Sequence, residues 1–305
     1  MPQNFQQKIL TLINEQIRDW PLARENYRGL KKTKTLLLTG NETHKIWVQF
    51  NPARIRSSAA KVDAWSVSER PCFLCHQNLP EEQKGVAFKD KYTVLVNPFP
   101  IFDQHLTIPH ISHIPQRIEG KLEDMLELAR ELPGFVLFYN GPRCGASAPD
   151  HFHFQAIGKG NLPIEEEVMT VFQEKEVNSE KMVHDMESYG RKFLIIRGEQ
   201  EKALRDSFEN IYESLKSFQP EEPEPMMNVL CWYRNSGWVV VIFPRQAHRP
   251  WQYDAENAEK IVLSPASVDL GGVLITPRLE DFEKLTLETV EDIFAQVCLH
   301  KGGIV

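Results

Sequence analysis

The chain has 305 residues, more than one hydrophobic core usually serves, which favours two units of about 150 residues each. With 42% hydrophobic and 25% charged residues, it has the composition of a soluble globular protein. Its net charge is −7, from 35 basic and 42 acidic residues without a concentrated Lys/Arg stripe, which argues against a duplex nucleic-acid partner. No stretch is apolar enough for a signal peptide or a membrane span, and five cysteines, an odd number, favour a reducing compartment. We therefore predict a cytoplasmic protein.

Hydrophobic periodicity and breaker residues predict the elements of the first half. In chain order we expect a helix over 1–20, strands at 36–38 and 46–50, a helix over 117–132 and a buried strand over 135–139. In the second half we expect a strand at 193–196, a helix over 204–215, a hairpin of strands at 228–233 and 238–243, and a helix over 285–297. Two acidic stretches, 165–167 and 220–225, are predicted to lie on the solvated surface.

The second half repeats the predicted order of elements of the first, which suggests a duplication. Leu106 to His113 and Val239 to His248 share an apolar strand, a proline and a histidine four places on. On this alignment Val268 to Ile275 takes the place of the strand at 151–155. We predict an α+β fold with two related halves, residues 1–175 and 185–305, each with a mainly antiparallel sheet and packed helices.

The main candidate for an active site is the segment His151-Phe152-His153-Phe154-Gln155. In a strand, alternate side chains share a face, so the two imidazoles and the amide would form one polar row. Before it, the loop from Gly141 to Asp150 is rich in small residues, and its glycines allow backbone N–H groups to approach a phosphate.

A second motif is Cys72-Phe73-Leu74-Cys75, which indicates a metal site or a redox pair. A redox pair would need a thioredoxin-like strand and helix, which the surrounding sequence lacks. A zinc site needs two more ligands, and these can come from His151 and from one of three neighbouring histidines. Those three are His105, His110 and His113. Two packed free thiols are the alternative.

These motifs resemble the histidine-triad superfamily, and within it the nucleotidyltransferase branch. The run from Tyr139-Asn140 to Gln155-Ala156 is similar to the active strand of the GDP-hexose phosphorylases. Ser264-Pro265-Ala266, Gly271-Gly272 and Pro277-Arg278 are similar to their second half, and the C-x-x-C segment is similar to that of galactose-1-phosphate uridylyltransferase.

The resemblance implies a histidine-triad-like fold and a ping-pong transfer of a nucleoside monophosphate through a covalent nucleotidyl-histidine. It makes His153 the nucleophile and gives Gln155 the phosphate oxygens. The implied substrate contacts are Asn140, Gly145, Ser147 and Arg54. The implied ligands of a structural Zn²⁺ are Cys72, Cys75, His151 and His113, with His110 as the alternative to His113.

The expected substrates are a nucleotide-sugar or dinucleoside polyphosphate, with phosphate or a sugar phosphate as acceptor. Because the amide of Gln155 cannot shuttle a proton, water is the less suitable acceptor. An inactive nucleotide-binding protein and a hydrolase of nucleotide conjugates are the alternatives. His248 either caps the substrate or is a relic of duplication, and relatives suggest a homodimer.

Overall fold

The computed structural model describes residues 4–40, 45–54, 64–174, 183–235 and 237–300. Its helices are α1 (Phe5–Asp19), α2 (Pro21–Gly29), α3 (Ala64–Ser68), α4 (Leu122–Glu131), α5 (Pro163–Glu174), α6 (Glu201–Phe218), α7 (Trp251–Asp254), α8 (Ser267–Leu270), α9 (Leu279–Lys284) and α10 (Leu287–Val297). Its strands are β1 (Lys34–Thr39), β2 (Lys45–Phe50), β3 (Gly85–Phe88), β4 (Tyr92–Val96), β5 (His105–Pro109), β6 (Phe135–Asn140), β7 (His153–Gly158), β8 (Val183–Ser188), β9 (Arg191–Gly198), β10 (Met227–Arg234), β11 (Gly237–Pro244) and β12 (Val273–Thr276). Among these helices, none is long and apolar enough to cross a membrane.

Nine strands form one antiparallel sheet in the order β3-β4-β5-β7-β6-β10-β11-β9-β8. The two halves therefore share one sheet, and they meet where β6 pairs with β10 and Asn140 lies opposite Asn228. A smaller sheet has the order β1-β2-β12, so a second-half strand pairs with a first-half strand there too. The α+β fold class is confirmed.

The large sheet repeats one connectivity. In the first half two strands (β4, β5), a helix (α4) and two strands (β6, β7) pair in the order β4-β5-β7-β6, and in the second β8, β9, α6, β10 and β11 pair as β8-β9-β11-β10. This order supports the proposed duplication, although the predicted boundary at 175–185 lies largely outside the described residues. The strand equivalent to β7 is β11, and the equivalent of β5 is β9. The predicted correspondences of Val268–Ile275 and Val239–His248 are therefore wrong.

The sheet is buried on both faces. Helices α1, α2, α4 and α6 cover one face, where Phe154 and Ala156 of β7 join the core. The small sheet, α5, α8 and α10 cover the other face. Because side chains alternate along a strand, His153 and Gln155 lie on this second face, toward the small sheet.

The helix predicted over 117–132 begins only at Leu122. Gly120 has a φ of +67°, and the N–H of Ile118 donates to the buried carboxylate of Glu224 instead of joining a helix. Glu224 accepts a second hydrogen bond from the hydroxyl of Tyr139, so this part of the acidic stretch 220–225 is buried. The prediction of a solvated surface is wrong there.

It is also wrong at Glu167, which is buried and paired with the fully buried Arg191. A buried charge is tolerated only when a partner offsets the lost hydration. In this pair each charged side chain is that partner for the other.

Candidate active site

The candidate site is a cavity of about 760 Å³ between the large sheet, the loop 141–150 and segments of the second half. This volume is in the range of small-molecule sites, roughly 300–1,000 Å³. Every non-metal site residue predicted from the sequence lines it: His153, Gln155, Asn140, Gly145, Ser147 and Arg54.

The imidazole of His153 is buried and held in one tautomer. Its Nδ1 lies 2.9 Å from the carbonyl oxygen of His151, which can only accept, so Nδ1 carries the proton and Nε2 keeps its lone pair. Burial lowers the pKa of His153 to about 4, with a smaller contribution from the neighbouring imidazole of His151. The side chain is therefore a neutral imidazole at physiological pH, the form that can act as a nucleophile.

Gln116, which the sequence analysis did not single out, fixes the backbone of His153. Its Oε1 accepts from the N–H of His153 at 2.7 Å. Its Nε2 donates to the carbonyls of His153 and Asn140, at 3.0 Å each. Pairing between β6 and β7 ends at Phe138 and Gln155, so Gln116 bridges the two strands just beyond the ladder.

The amide of Gln155 is oriented by His105. The N–H of Ile101 donates to Nδ1 of His105 at 3.2 Å, so in the neutral ring Nε2 carries the proton. Nε2 of His105 lies 3.0 Å from Oε1 of Gln155, which makes that oxygen the acceptor and leaves the amide nitrogen for the cavity. Burial, with the charge of Arg54, lowers the pKa of His105 to about 3 and keeps the ring neutral.

Asn140 is oriented in the same way from the second half. Its Oδ1 accepts from Nδ2 of Asn228 at 2.9 Å and from the N–H of Ser267 at 3.0 Å. Since a backbone N–H can only donate, the oxygen must point toward Ser267. The amide nitrogen of Asn140 is thus left for the cavity that the residue lines.

The loop 141–150 depends on glycine at position 145. Gly145 has a φ of +94°, and a Cβ there would come within 2.6 Å of the Cβ of Ala266. Only glycine both adopts this φ without strain and leaves room for Ala266. The backbone at Gly145 can therefore pack directly against the second half. Ser147 follows it in the cavity wall, where its carbonyl accepts from the guanidinium of Arg70 at 3.1 Å.

A four-residue cluster lies beside the cavity, and its members are Cys72, Cys75, His113 and His151. Their potential ligand atoms all lie within 4.8 Å of one another, so the cluster could hold a metal ion. Sγ of Cys72 is 3.3 Å from Nδ1 of His151, and Sγ of Cys75 is 3.2 Å from Nδ1 of His113. Such separations suit a tetrahedral ion with bonds of about 2.0–2.3 Å to nitrogen and sulfur.

The surroundings of the cluster also suit a metal. Nε2 of His151 is 2.7 Å from the carbonyl of His110, which places the proton on Nε2 and leaves Nδ1 free to coordinate. Nε2 of His113 is 3.5 Å from a carboxylate oxygen of Asp150. The alternative ligand His110 is not part of the cluster, and its Nδ1 accepts from the N–H of Ser112 instead.

Comparisons with known proteins identify the fold. Residues 163–303 match the family model of the GDPGP1-like, C-terminal domain, and residues 12–158 match that of a domain of unknown function, DUF4922. Yeast Ap4A phosphorylase Apa2 in complex with AMP is similar in structure, with a TM-score of 0.59 and 18% identity over 93% of this chain and 96% of that one. The chain therefore shares its α+β fold with this yeast enzyme.

Apa2 in complex with Ap4A gives a TM-score of 0.56 at 17% identity, over 98% of both chains. No curated protein sequence matches the chain. The predicted resemblance to the histidine-triad nucleotidyltransferase branch is confirmed by these findings.

The second half adds cavity residues whose role the sequence left open or did not indicate. His248 and Arg249 follow β11 and line the same cavity as His153. The pKa of His248 is lowered to about 4, mainly by burial and to a smaller extent by the positive charges of Arg249, Arg245 and Arg143. The described cavity wall carries the three arginines Arg54, Arg70 and Arg249 against one carboxylate, Asp269, so it is net positive in a chain whose net charge is negative. The resemblance of 264–266 to the phosphorylases was the signal that this wall belongs to the site.

Proposed function

We propose that this protein is a nucleotidyltransferase that transfers a nucleoside monophosphate through a covalent nucleotidyl-His153. The donor is a nucleotide-sugar or a dinucleoside polyphosphate, and the acceptor is phosphate or a sugar phosphate. The observation that carries the proposal is the arrangement of His153: a neutral ring, Nδ1 committed to the carbonyl of His151, and Nε2 left with its lone pair in a cavity of nucleotide size.

The reaction has two displacements at the same phosphorus. Nε2 of His153 attacks the α-phosphorus, the bond from phosphorus to the bridging oxygen breaks, and the rest of the donor leaves as a phosphate ester. A phosphate oxygen of the acceptor then attacks the phosphorus and the N–P bond breaks, which releases a nucleoside diphosphate when the acceptor is orthophosphate and a nucleotide-sugar when it is a sugar phosphate. A phosphate leaving group needs no proton from an acid, which agrees with an amide at Gln155 where a hydrolase has a third histidine.

Three donors suit the charge that develops on the phosphoryl oxygens. The amide nitrogen of Gln155 is oriented by His105, and that of Asn140 by Ser267. The third proposed donor is the backbone around Gly145, which can come close to a phosphate because glycine has no side chain. Donors that are already oriented stabilise such a transition state without reorganising during the reaction. Ser147 and Arg54 complete the proposed phosphate contacts.

The four-residue cluster fits a structural Zn²⁺ held by Cys72, Cys75, His113 and His151. His151 would then act twice, since its Nδ1 faces the thiols while its carbonyl oxygen accepts from Nδ1 of His153. The ion would keep that carbonyl in place and join the segment after α3 to the active strand. A cytoplasmic location and a homodimer remain predictions.

A panel of nucleotide-sugars and dinucleoside polyphosphates, each without acceptor, with orthophosphate and with a hexose phosphate, tests the reaction class. Turnover that requires phosphate supports the proposal, whereas equal turnover in water indicates a hydrolase. Intact mass after incubation with donor alone should increase by one nucleoside monophosphate, and phosphate should remove the increase. Donor turnover without an adduct would contradict the covalent histidine, and binding without turnover would indicate an inactive nucleotide-binding protein.

A further inference from the structure

The second half contains a fully buried cation beside the proposed phosphate site. The side chain of Arg245, in the residue directly after β11, has no solvent-accessible surface. Its five N–H bonds all find acceptors: the carbonyls of Val297, Pro265, Ala247 and His248, and Oδ1 of Asn228. In the described part of the chain no carboxylate lies within 4.0 Å of it, so its hydrogen bonds are satisfied and its charge is not.

A second arginine that is fully buried, among the described residues, shows the contrast. Arg191 is equally inaccessible, lies outside the cavity and is paired with the carboxylate of Glu167. An isolated buried charge is costly unless an anion is near. The burial of Arg245 without a carboxylate therefore suggests that its counter-ion is not part of the protein.

A short chain of hydrogen bonds leads from this cation to the cavity. The guanidinium donates to Oδ1 of Asn228, and Nδ2 of Asn228 donates to Oδ1 of Asn140 at 2.9 Å. The amide nitrogen of Asn140 is then left for the cavity. Each bond polarises the next, so the positive charge strengthens the last donor in the chain.

The pairing of β6 with β10 accounts for this contact, because it places Asn140 and Asn228 opposite each other in the register. The backbone N–H of Ser267 holds the same oxygen of Asn140 at 3.0 Å. The orientation of Asn140 is therefore determined entirely by residues of the second half.

We propose that Arg245 and Asn228 are positioning residues. They turn the amide nitrogen of Asn140 toward the transferred phosphoryl group, and Arg245 supplies the positive charge that offsets the negative charge of that group. The ligand they recognise is the phosphate of a nucleoside monophosphate unit, on which they act through Asn140 without contacting the phosphate themselves. This proposal rests on the proposed function in one respect, that the cavity receives a nucleotide phosphate.

The test compares a nucleoside with its monophosphate. Asn228→Asp keeps the shape of the side chain, neutralises Arg245 and removes the donor to Asn140. AMP, GMP and the matching nucleosides serve as probes in calorimetric titrations. The variant should bind the monophosphate about 10- to 100-fold more weakly and the nucleoside within about twofold of wild type. The reason is that Nδ2 of Asn228 loses its bonds to Asn140 and to the carbonyl of Cys144 in the loop 141–150, while the base contacts are kept.

Two lysine variants separate positioning from stability. Arg245→Lys keeps the charge but loses the planar set of donors, so it should also weaken monophosphate binding selectively. Arg191→Lys is the matched control, equally buried but outside the cavity, and should leave the ratio of the two affinities unchanged.

If Asn228→Asp and Arg245→Lys weaken the binding of nucleoside and monophosphate equally, or if neither variant weakens binding, the proposed hydrogen-bond relay from Arg245 through Asn228 to Asn140 is wrong. A wild type that does not prefer monophosphate to nucleoside would overturn it as well. If wild type prefers the monophosphate and the variants lose that preference, yet no donor is turned over, the relay stands and the proposed reaction fails. If donors are turned over and Asn228→Asp keeps the preference, the reaction stands and the relay fails.

Discussion

Replacing Gln155 by glutamate gives a strong test of the site, because the change preserves shape and exchanges a donor for a charge. His105 donates to Oε1 of Gln155 at 3.0 Å, so the atom exchanged in the cavity is the amide nitrogen. The variant Gln155→Glu would therefore place a carboxylate oxygen against the phosphoryl oxygens.

The expected loss of rate has two parts, the missing donor and the added negative charge. Removing one oriented donor costs roughly 10²–10³ in rate, about 3–4 kcal/mol, and Gln155→Ala should show this loss alone. The added charge contributes about 4 kcal/mol at 4 Å with an effective dielectric constant of about 20, which is about another 10³. Gln155→Glu should thus be about a thousandfold slower than Gln155→Ala, although it is the more conservative change.

The assay is the single-turnover rate of adduct formation, read by intact mass with donor and no acceptor. Gln83→Glu, which places a carboxylate elsewhere in the same cavity wall, is the control for charge alone and should lose much less activity. If Gln155→Glu reacts as fast as Gln155→Ala, the amide faces the other way and the described role of His105 is wrong.

Three further predictions concern the nucleophile, the metal and a buried acid. His153→Ala should form no adduct and lose essentially all transfer while still binding nucleotide, because the N–P bond forms at Nε2 of this residue; residual adduct would point to another nucleophile, such as His248 in the same cavity. Protein purified without chelator should contain one equivalent of zinc, and its removal should lower the melting temperature as well as the rate, since a structural zinc contributes about 10–16 kcal/mol of apparent binding free energy in small peptides; metal-free protein of full stability would contradict the site. Burial raises the pKa of Glu224 from 4.5 to about 7, so the folded state keeps this proton to higher pH than the unfolded state. The contribution of protonated Glu224 to the free energy of unfolding is fully present below about pH 4.5 and is lost as the pH rises through about 7. The free energy of unfolding should fall by about 2–3 kcal/mol from this cause between pH 5 and 8. Urea unfolding should show wild type losing that much more stability than Glu224→Gln over this interval, and parallel losses would contradict the assignment.

The sequence located the residues of the cavity better than the residues that orient them. His153, Gln155, Asn140 and Gly145 lie within a short local pattern, and the structure places all of them around one cavity. The four residues that could hold a metal ion were also predicted to converge, although His113 and His110 could not be separated from spacing alone. The choice depends on the turn after Pro109, where the Nδ1 of His110 turns back to the N–H of Ser112.

The residues that orient the site were not predicted, because their contacts depend on strand register. His105 was considered only as a metal ligand, and its contact with Gln155 arises because β5 pairs with β7 so that Thr107 lies opposite Gln155. Ser267 is 127 positions from Asn140, with no local motif to connect them. Glu224 lies among prolines and acids that are typical of a surface loop, and only the fold shows Tyr139 beside it.

The continuous sheet has a consequence for any attempt to separate the halves. The strand β6 lies inside the sheet only because β10 pairs with it. A fragment that stopped before the second half would turn β6 into an open edge, with unpaired N–H and C=O groups and a continuous apolar sequence. Such an edge is a template for other chains, so the fragment would be prone to aggregate. The second half is therefore not dispensable even though it lacks the H-x-H-x-Q motif, because its strand β10 shields the edge of the first half.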